Sequence, residues 1–251
     1  MLDEDAVSNH SRDIEPIEAF ARLDVTRRER TGIPETVLAE GKTTEQVISI
    51  LGLLCERSGV ALATRVAPEC AGRVVEAFTG DRKVQHNALG RTIVVEKRDH
   101  QRVHTGGAIA VFSAGTGDLP IAEEARVTAE LMGCKVLTFY DVGVAGIHRL
   151  VEPLKSVLEE DVSALVVVAG MEGALPSVVR GLVPMPVIGV PTSIGYGYGA
   201  RGEAALMSML QSCSPGLTVV NIDNGFGAGA TAALIANRVA EVKHSNQSGR
   251  P

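Results

Sequence analysis

The residues best suited to chemistry stand just beyond apolar segments in the second half of the sequence. Ser113-Ala114-Gly115-Thr116-Gly117-Asp118 follows GAIAVF and precedes Pro120 and Glu123-Glu124. Backbone N–H groups in such a loop, opening a helix, can hold a phosphate or a carboxylate. Asp118 reads equally well as a helix N-cap. Asp141 closes KVLTFYD, and Glu172 stands alone between glycines in Gly170-Met171-Glu172-Gly173, beyond ALVVVA. A carboxylate so placed is either a base or a solvated loop acid. Thr192 and Ser193 follow VIGVP and lead into GYGYGARGEAA, a stretch glycine-rich enough to be a lid or a ligand-ordered loop. Cys213, in Gln211-Ser212-Cys213-Ser214-Pro215-Gly216, is flanked by hydroxyls and a turn, whereas Cys55 sits inside LGLLCER. Its thiol is an accessible nucleophile or an incidental surface group, while Cys134 reads as core.

Positioning these loops requires a regular frame. The runs GAIAVFSAG, KVLTFYD, ALVVVAG, VIGVPT and LTVVNID are short, β-branched and continuously apolar, as strands buried on both faces are. Helical stretches lie between them at 121–132, 147–160, 175–182 and 203–210, with a last helix over about 228–242. Alternation of this kind predicts a doubly wound parallel α/β sheet, whose ligands bind at the carboxyl ends of the strands. We assign this catalytic domain to residues 105–243 and a smaller α/β amino-terminal domain to 1–104, with a disordered tail at 244–251. In the amino-terminal domain Thr43-Thr44-Glu45-Gln46 predicts a capping box opening a helix that ends near Ser58-Gly59. A strand over 60–66, a helix over 68–78 and a strand over 91–96 follow.

Composition narrows the function classes. The chain has 251 residues, 45% apolar and 22% charged, with a formal net charge of -6 and no basic stripe, which argues against a nucleic-acid partner. The acidic first residues lack an apolar core, and no run of about 18 apolar residues occurs, so neither a signal peptide nor a membrane span is expected. Cys55, Cys70, Cys134 and Cys213 form no CxxC pair, which disfavours disulfides and cysteine-based metal sites and suits a reducing cytoplasm. Two tempting motifs fail. GKT at 41–43 has Thr36 where a P-loop needs its first glycine, and NGFGAG at 224–229 follows the last strand rather than the first. The second reads as a tight strand-to-helix turn or a close approach to ligand.

The strand-end motifs of residues 107–243 resemble those of aminoimidazole ribonucleotide mutases, which move a carboxylate on a nucleotide. Their GS-x-SD phosphate loop is similar to residues 113–118, their AGAGGAAHLPG to residues 169–176, and their LVPVLGVPV to residues 182–191. Their SAHR segment, however, becomes Val142-Gly143-Val144-Ala145, so their catalytic histidine has no clear counterpart. GMEGALPSVV, DVGVAGIHRL and SCSPG, with the extra amino-terminal domain, look more like a sister family, the pyridinium-3,5-biscarboxylic acid mononucleotide synthases. These are the carboxylases of the nickel-pincer nucleotide cofactor of lactate racemase.

That resemblance implies a flavodoxin-like sheet, a homo-octamer, and nicotinic acid adenine dinucleotide with CO2 or bicarbonate as substrates. It implies the bis-carboxylated mononucleotide and AMP as products, with no covalently held cofactor. Assistance by Mg²⁺ is left open, and no metal ligand is assigned. Catalysis would rest on Cys213, Glu172 and Asp118. Substrate would be held by Ser113, Gly115, Thr116, Gly117, Asp141, Gly170, Met171, Gly173, Thr192 and Ser193. The rival expectations are an aminoimidazole ribonucleotide mutase and a non-catalytic nucleotide-binding module.

Overall fold

The apolar runs form five parallel strands: β7 (Ala108–Ser113), β8 (Lys135–Phe139), β9 (Ala164–Ala169), β10 (Val187–Pro191) and β11 (Leu217–Val219). In this computed structural model, which describes residues 14–17 and 20–247, they lie in the order β11-β10-β9-β7-β8. Numbered from the first strand of the sheet that is 2-1-3-4-5, the flavodoxin-like order, with its switch point between β7 and β9. β7, β9 and β10 are buried along their whole length, which explains why they read as unbroken apolar runs rather than alternating ones.

Helices cover both faces. Leu175 and Val179 of α6 (Leu175–Arg180), Ala205 and Met209 of α7 (Glu203–Leu210) and Val157 of α5 (Val151–Glu159) join Ala110, Phe112, Leu165, Val167 and Val187 in one core. The alternate residues Val111, Val166, Val168, Ile188 and Val190 are equally buried and point to the other face. There lie α4 (Leu119–Leu131) and α8 (Gly225–Gln247).

These two helices touch backbone to backbone. A Cβ on Gly225 would stand 2.3 Å from the Ile121 carbonyl oxygen, and one on Gly229 would stand 2.4 Å from that of Ala125. The glycines of NGFGAG therefore serve helix packing. Glu124, buried inside the sheet unit, accepts the Phe226 N–H at 3.1 Å and so fills the first turn of α8 with the protein's own carboxylate.

Three expectations are corrected. The helix expected over 147–160 is a 3₁₀ stretch, Val144–Leu150, kinked at Gly146, before α5 begins at Val151. The helix expected to 182 ends at Arg180. The last helix runs to Gln247, so residues 244–247 are helical, and the remainder of the expected tail, 248–251, lies outside the described residues, as do 1–13.

The boundary between two compact units falls between Gln101 and Arg102. The first unit has its own core, in which Leu51, Leu54, Val74, Ile93 and Val95 meet. β3 (Thr36–Leu38), β4 (Val60–Thr64), β6 (Thr92–Glu96) and β5 (Lys83–Asn87) form a mixed sheet in that order. β1 (Ile14–Ile17) and β2 (Ala21–Asp24) pair as a separate hairpin, and a short α1 (Arg27–Thr31) follows them. α2 (Thr44–Ser58) carries the predicted capping box, with Thr43 and Gln46 exchanging hydrogen bonds, and ends on Gly59 in the left-handed region. Thr43 is thus spent on capping, which leaves GKT no phosphate loop. α3 (Pro68–Phe78) has the expected bounds.

Candidate active site

At the switch point the loops after β7, β8 and β9 enclose a cleft of about 270 Å³. Gly115, Gly117 and Asp118 line it from the first loop, Gly143 and Arg149 from the second, Gly170, Met171 and Glu172 from the third, and Ile194 closes one side. Glycine is needed where these loops meet. A Cβ on Gly170 would lie 2.2 Å from the Ile194 carbonyl oxygen and 2.6 Å from the Thr192 hydroxyl. Asp141 and Met171 hold φ of 56° and 51°, in the left-handed region that non-glycine residues occupy at a cost.

Asp118 is the knot of the site. It is only 4% exposed. Its Oδ1 accepts the Thr192 hydroxyl at 2.7 Å and its Oδ2 the Gly115 N–H at 2.9 Å. Although Asp118 stands at the N-cap position of α4, its carboxylate does not cap that helix; it ties three strand-end loops together. Burial pushes its carboxyl above the ordinary aspartate value, against the bonds from Thr192, Gly115 and Gly170. The neighbouring Asp223 pushes it the same way.

Glu172 lines the cleft and is exposed, so the solvated carboxylate that its sequence context allowed also faces the cleft. No hydrogen bond or ion pair engages it among the described residues. Arg149, the sole cation on the cleft wall among the described residues, donates to Asp141 at 2.7 Å. It lies across Gly146, where a Cβ would come within 2.6 Å of its Nε. Asp141 therefore acts on the cleft through Arg149 and does not line it.

The remaining candidates divide. Ser113 is buried, with its hydroxyl accepting the Asp141 N–H at 3.3 Å. Thr192 is buried behind Asp118, and Gly173 packs on Ala205 of α7. Thr116 is exposed outside the cleft lining, and Ser193 donates its N–H to Asp223 at 2.8 Å. Sequence reasoning missed Arg149, Asp223 and Ile194. Arg149 carried one usable signal, a cation eight residues past a strand-end aspartate.

Cys213 is exposed and does not line the cleft of its own chain. Its turn is tied to α6: the Ser177 hydroxyl donates to Ser212 Oγ at 2.7 Å, and the Ser214 hydroxyl donates to the Ser177 carbonyl at 3.0 Å. Gly216, at φ 90°, lies flat against the Arg180 guanidinium and accepts the Val187 N–H. Val187 opens β10 and Pro191 closes it at the cleft end, about 13 Å along the strand. The thiol's turn thus enters the sheet at the end opposite the cleft. Cys134 is buried, and burial pushes its thiol up to about 11, as a structural cysteine requires.

A second cleft, of about 300 Å³, lies at the amino-terminal ends of the strands. Its lysines, Lys135 and Lys243, are neutralised by Glu160 and Asp161, so it offers no net charge to a ligand. Among the described residues no group of three or more His, Cys, Asp or Glu is placed to hold a metal ion. No helix among them is long and apolar enough to cross a membrane.

Residues 14–98 match the LarB/PurE-like N-terminal domain, and residues 108–250 match AIR carboxylase. The chain is 46% identical over 224 residues to an uncharacterized protein of Methanocaldococcus jannaschii, covering 88% of this chain and 86% of that one. It is 30% identical over 132 residues to a probable N5-carboxyaminoimidazole ribonucleotide mutase of Methanothermobacter thermautotrophicus, covering 51% of this chain and 37% of that one. A third relative, the N5-carboxyaminoimidazole ribonucleotide mutase of Pyrococcus abyssi, is 29% identical over 140 residues, covering 54% of this chain and 75% of that one.

Proposed function

The chain belongs to the AIR carboxylase family, with a LarB/PurE-like N-terminal domain ahead of the family's sheet, and we propose that it carboxylates a nicotinate dinucleotide. Membership makes it an enzyme of the carboxylase and mutase class. The finer reading is that nicotinic acid adenine dinucleotide and CO2 or bicarbonate give pyridinium-3,5-biscarboxylic acid mononucleotide and AMP. That product would feed the nickel-pincer nucleotide of lactate racemase. The observation that carries the reading is the switch-point cleft, which among the described residues sets one unpaired carboxylate, Glu172, and one cation, Arg149, on a wall of mostly small and apolar residues such as Ala114, Gly170 and Leu175.

The chemistry assigns roles to these groups. A pyridinium ring is electron-poor, and its C5 does not attack CO2 unaided. A thiolate adding at C4 forms a C–S bond and moves an electron pair onto the ring nitrogen, giving a dihydropyridine whose C5 is nucleophilic. C5 then bonds to CO2, Glu172 takes the C5 proton, and expulsion of the thiolate restores the aromatic ring. Water splits the phosphoanhydride in a separate step. Arg149 and the N–H groups around Gly115 and Gly117 suit the anionic parts of the substrate. Asp118 positions the loops that carry them.

Cys213 is the proposed nucleophile. Because it stands outside the cleft of its own chain, the thiol that reaches the ring belongs to a neighbouring copy in a homo-oligomer, the octamer that the family resemblance implies.

One observation favours a mutase reading, the identity of about three residues in ten with the two ribonucleotide mutases. Against it, residues 142–145 carry no histidine. Incubation with nicotinic acid adenine dinucleotide and bicarbonate, followed by mass spectrometry, separates the two. The expected result is the carboxylated mononucleotide with AMP. Conversion of an aminoimidazole ribonucleotide in a parallel tube, with the dinucleotide untouched, would support the mutase instead.

A further inference from the structure

The chain has only three tyrosines, and two of them, Tyr196 and Tyr198, stand in the glycine-rich stretch after β10. Tyr196 is 80% exposed and Tyr198 107%. Aromatic rings gain more from burial than almost any side chain, so two uncovered rings one residue apart call for an occupant.

Their loop is pinned at one end to the rim of the cleft and at the other to the strand end behind it. On the outgoing side, the Ile194 carbonyl accepts the Met171 N–H at 3.0 Å, and Ile194 and Met171 both line the cleft. On the return side, Gly202, at φ 87°, packs on the Thr192 carbonyl, where a Cβ would come within 2.7 Å. Thr192 is the residue that holds Asp118. Between these anchors Gly195, Gly197 and Gly199 flank the two rings with no side chain, and Gly197 holds φ 74°. Arg201, also exposed, closes the loop with no acidic partner among the described residues. The rings therefore stand on a short arch that leaves from the cleft rim at Ile194 and returns to the buried strand end at Thr192, with the rings exposed.

We propose that Tyr196 and Tyr198 form a stacking platform for the purine of the dinucleotide, while the cleft holds the ring to be carboxylated. This rests on the dinucleotide reading above. A purine offers a flat π face of the kind that stacks on tyrosine, and tyrosine presents its ring at the entropic cost of only two torsions. Arg201 supplies positive charge for the diphosphate between the two halves. The platform makes the enzyme selective for a dinucleotide over the mononucleotide that shares its reacting ring.

Calorimetric titration of the full-length protein with nicotinic acid adenine dinucleotide, nicotinic acid mononucleotide and AMP tests this. The Tyr196→Ala/Tyr198→Ala double variant should bind the dinucleotide and AMP at least roughly tenfold more weakly, leaving the mononucleotide unchanged. Tyr196→Phe/Tyr198→Phe should bind like the parent, because the rings remain. With no tryptophan present, tyrosine emission should be quenched by AMP in the parent and not in the double alanine variant. Unchanged dinucleotide and AMP affinity in that variant would overturn the platform. So would a smaller particle by light scattering, which would mean that a second copy covers the rings. If the parent binds AMP through the rings but not the dinucleotide, the platform stands and the carboxylase reading falls.

Discussion

Asp118 is buried and bound on both oxygens, whereas Glu172 is exposed and engaged by nothing among the described residues. A general base must be free to meet the proton it takes, which favours Glu172 for that step despite its solvation. Glu172→Gln keeps the side chain's size and removes its basic site. We expect it to bind the dinucleotide nearly as the parent does while carboxylation falls by about 10²–10⁴-fold; a loss under roughly tenfold in single-turnover assays would move the proton to another group. For Asp118 the expectation concerns stability. Burial raises its carboxyl above the ordinary value, so between that value and the raised one the folded chain holds a proton that the unfolded chain has lost. Stability then falls as pH rises through this window, and ionised Asp118 is a continuing cost above it. Asp118→Asn carries no charge to desolvate. Denaturant unfolding across pH 4 to 7 should therefore show the parent losing stability relative to Asp118→Asn with rising pH. A difference that is flat or of opposite slope would contradict the burial argument.

Helices and strands were legible in proportion to how local their causes are. β7, β9 and β10 announce themselves because burial on both faces demands continuous apolar residues, and α2 because its capping box lies within four residues. β5, KVQHN, is half exposed and polar, and β3 is three residues long, so neither rises above loop composition. The bond between Thr192 and Asp118 spans 74 residues of sequence, and nothing local encodes it. Nor could spacing reveal that the Cys213 turn enters the sheet opposite the cleft. The NGFGAG glycines illustrate the same limit, since their role depends on a helix about a hundred residues earlier. Gly229→Ala tests that role with a sign that separates two effects. In an ordinary helix interior the change stabilises by about 0.5–1 kcal/mol. Here the new Cβ would stand 2.4 Å from the Ala125 carbonyl oxygen and 2.9 Å from its Cα, and backbone cannot swing aside as a side chain can. Overpacking should win, with a net loss of about 1–3 kcal/mol by chemical denaturation. A gain would mean that α4 and α8 are not in contact as described.

At the scale of the whole molecule the proposed nucleophile Cys213 does not line the cleft that holds the proposed base Glu172, and the proposal of a thiol from a second chain can be tested on the surface around Cys213. Met207 and Leu210 of α7, the helix that leads into the Cys213 turn, and Leu182 after α6, the helix to which that turn is tied, are each more than half exposed. Exposed apolar side chains on the elements that carry the thiol are what the proposed contact with a second copy would cover. We expect an assembly larger than a dimer by light scattering at micromolar concentration, and a monomer there would remove the premise. A stronger test uses the chemistry itself. Cys213→Ala alone should make no carboxylated product, and Cys213→Ser almost none, because a hydroxyl is hardly ionised at neutral pH without an adjacent base. Glu172→Gln alone should be nearly inactive for the separate reason argued above. If one site draws its thiol from one copy and its carboxylate from another, co-expressing the two inactive chains creates sites with both groups intact. Random mixing would then restore about a quarter of the parent activity, since each intact site needs the right chain at two positions. If thiol and carboxylate came from the same chain, no mixture could contain a complete site. Co-assembled variants that stay inactive, while the parent turns over, would therefore place Cys213 and Glu172 in one chain's site, and would require the Cys213 turn to leave Ser177 and cross to the cleft during the reaction.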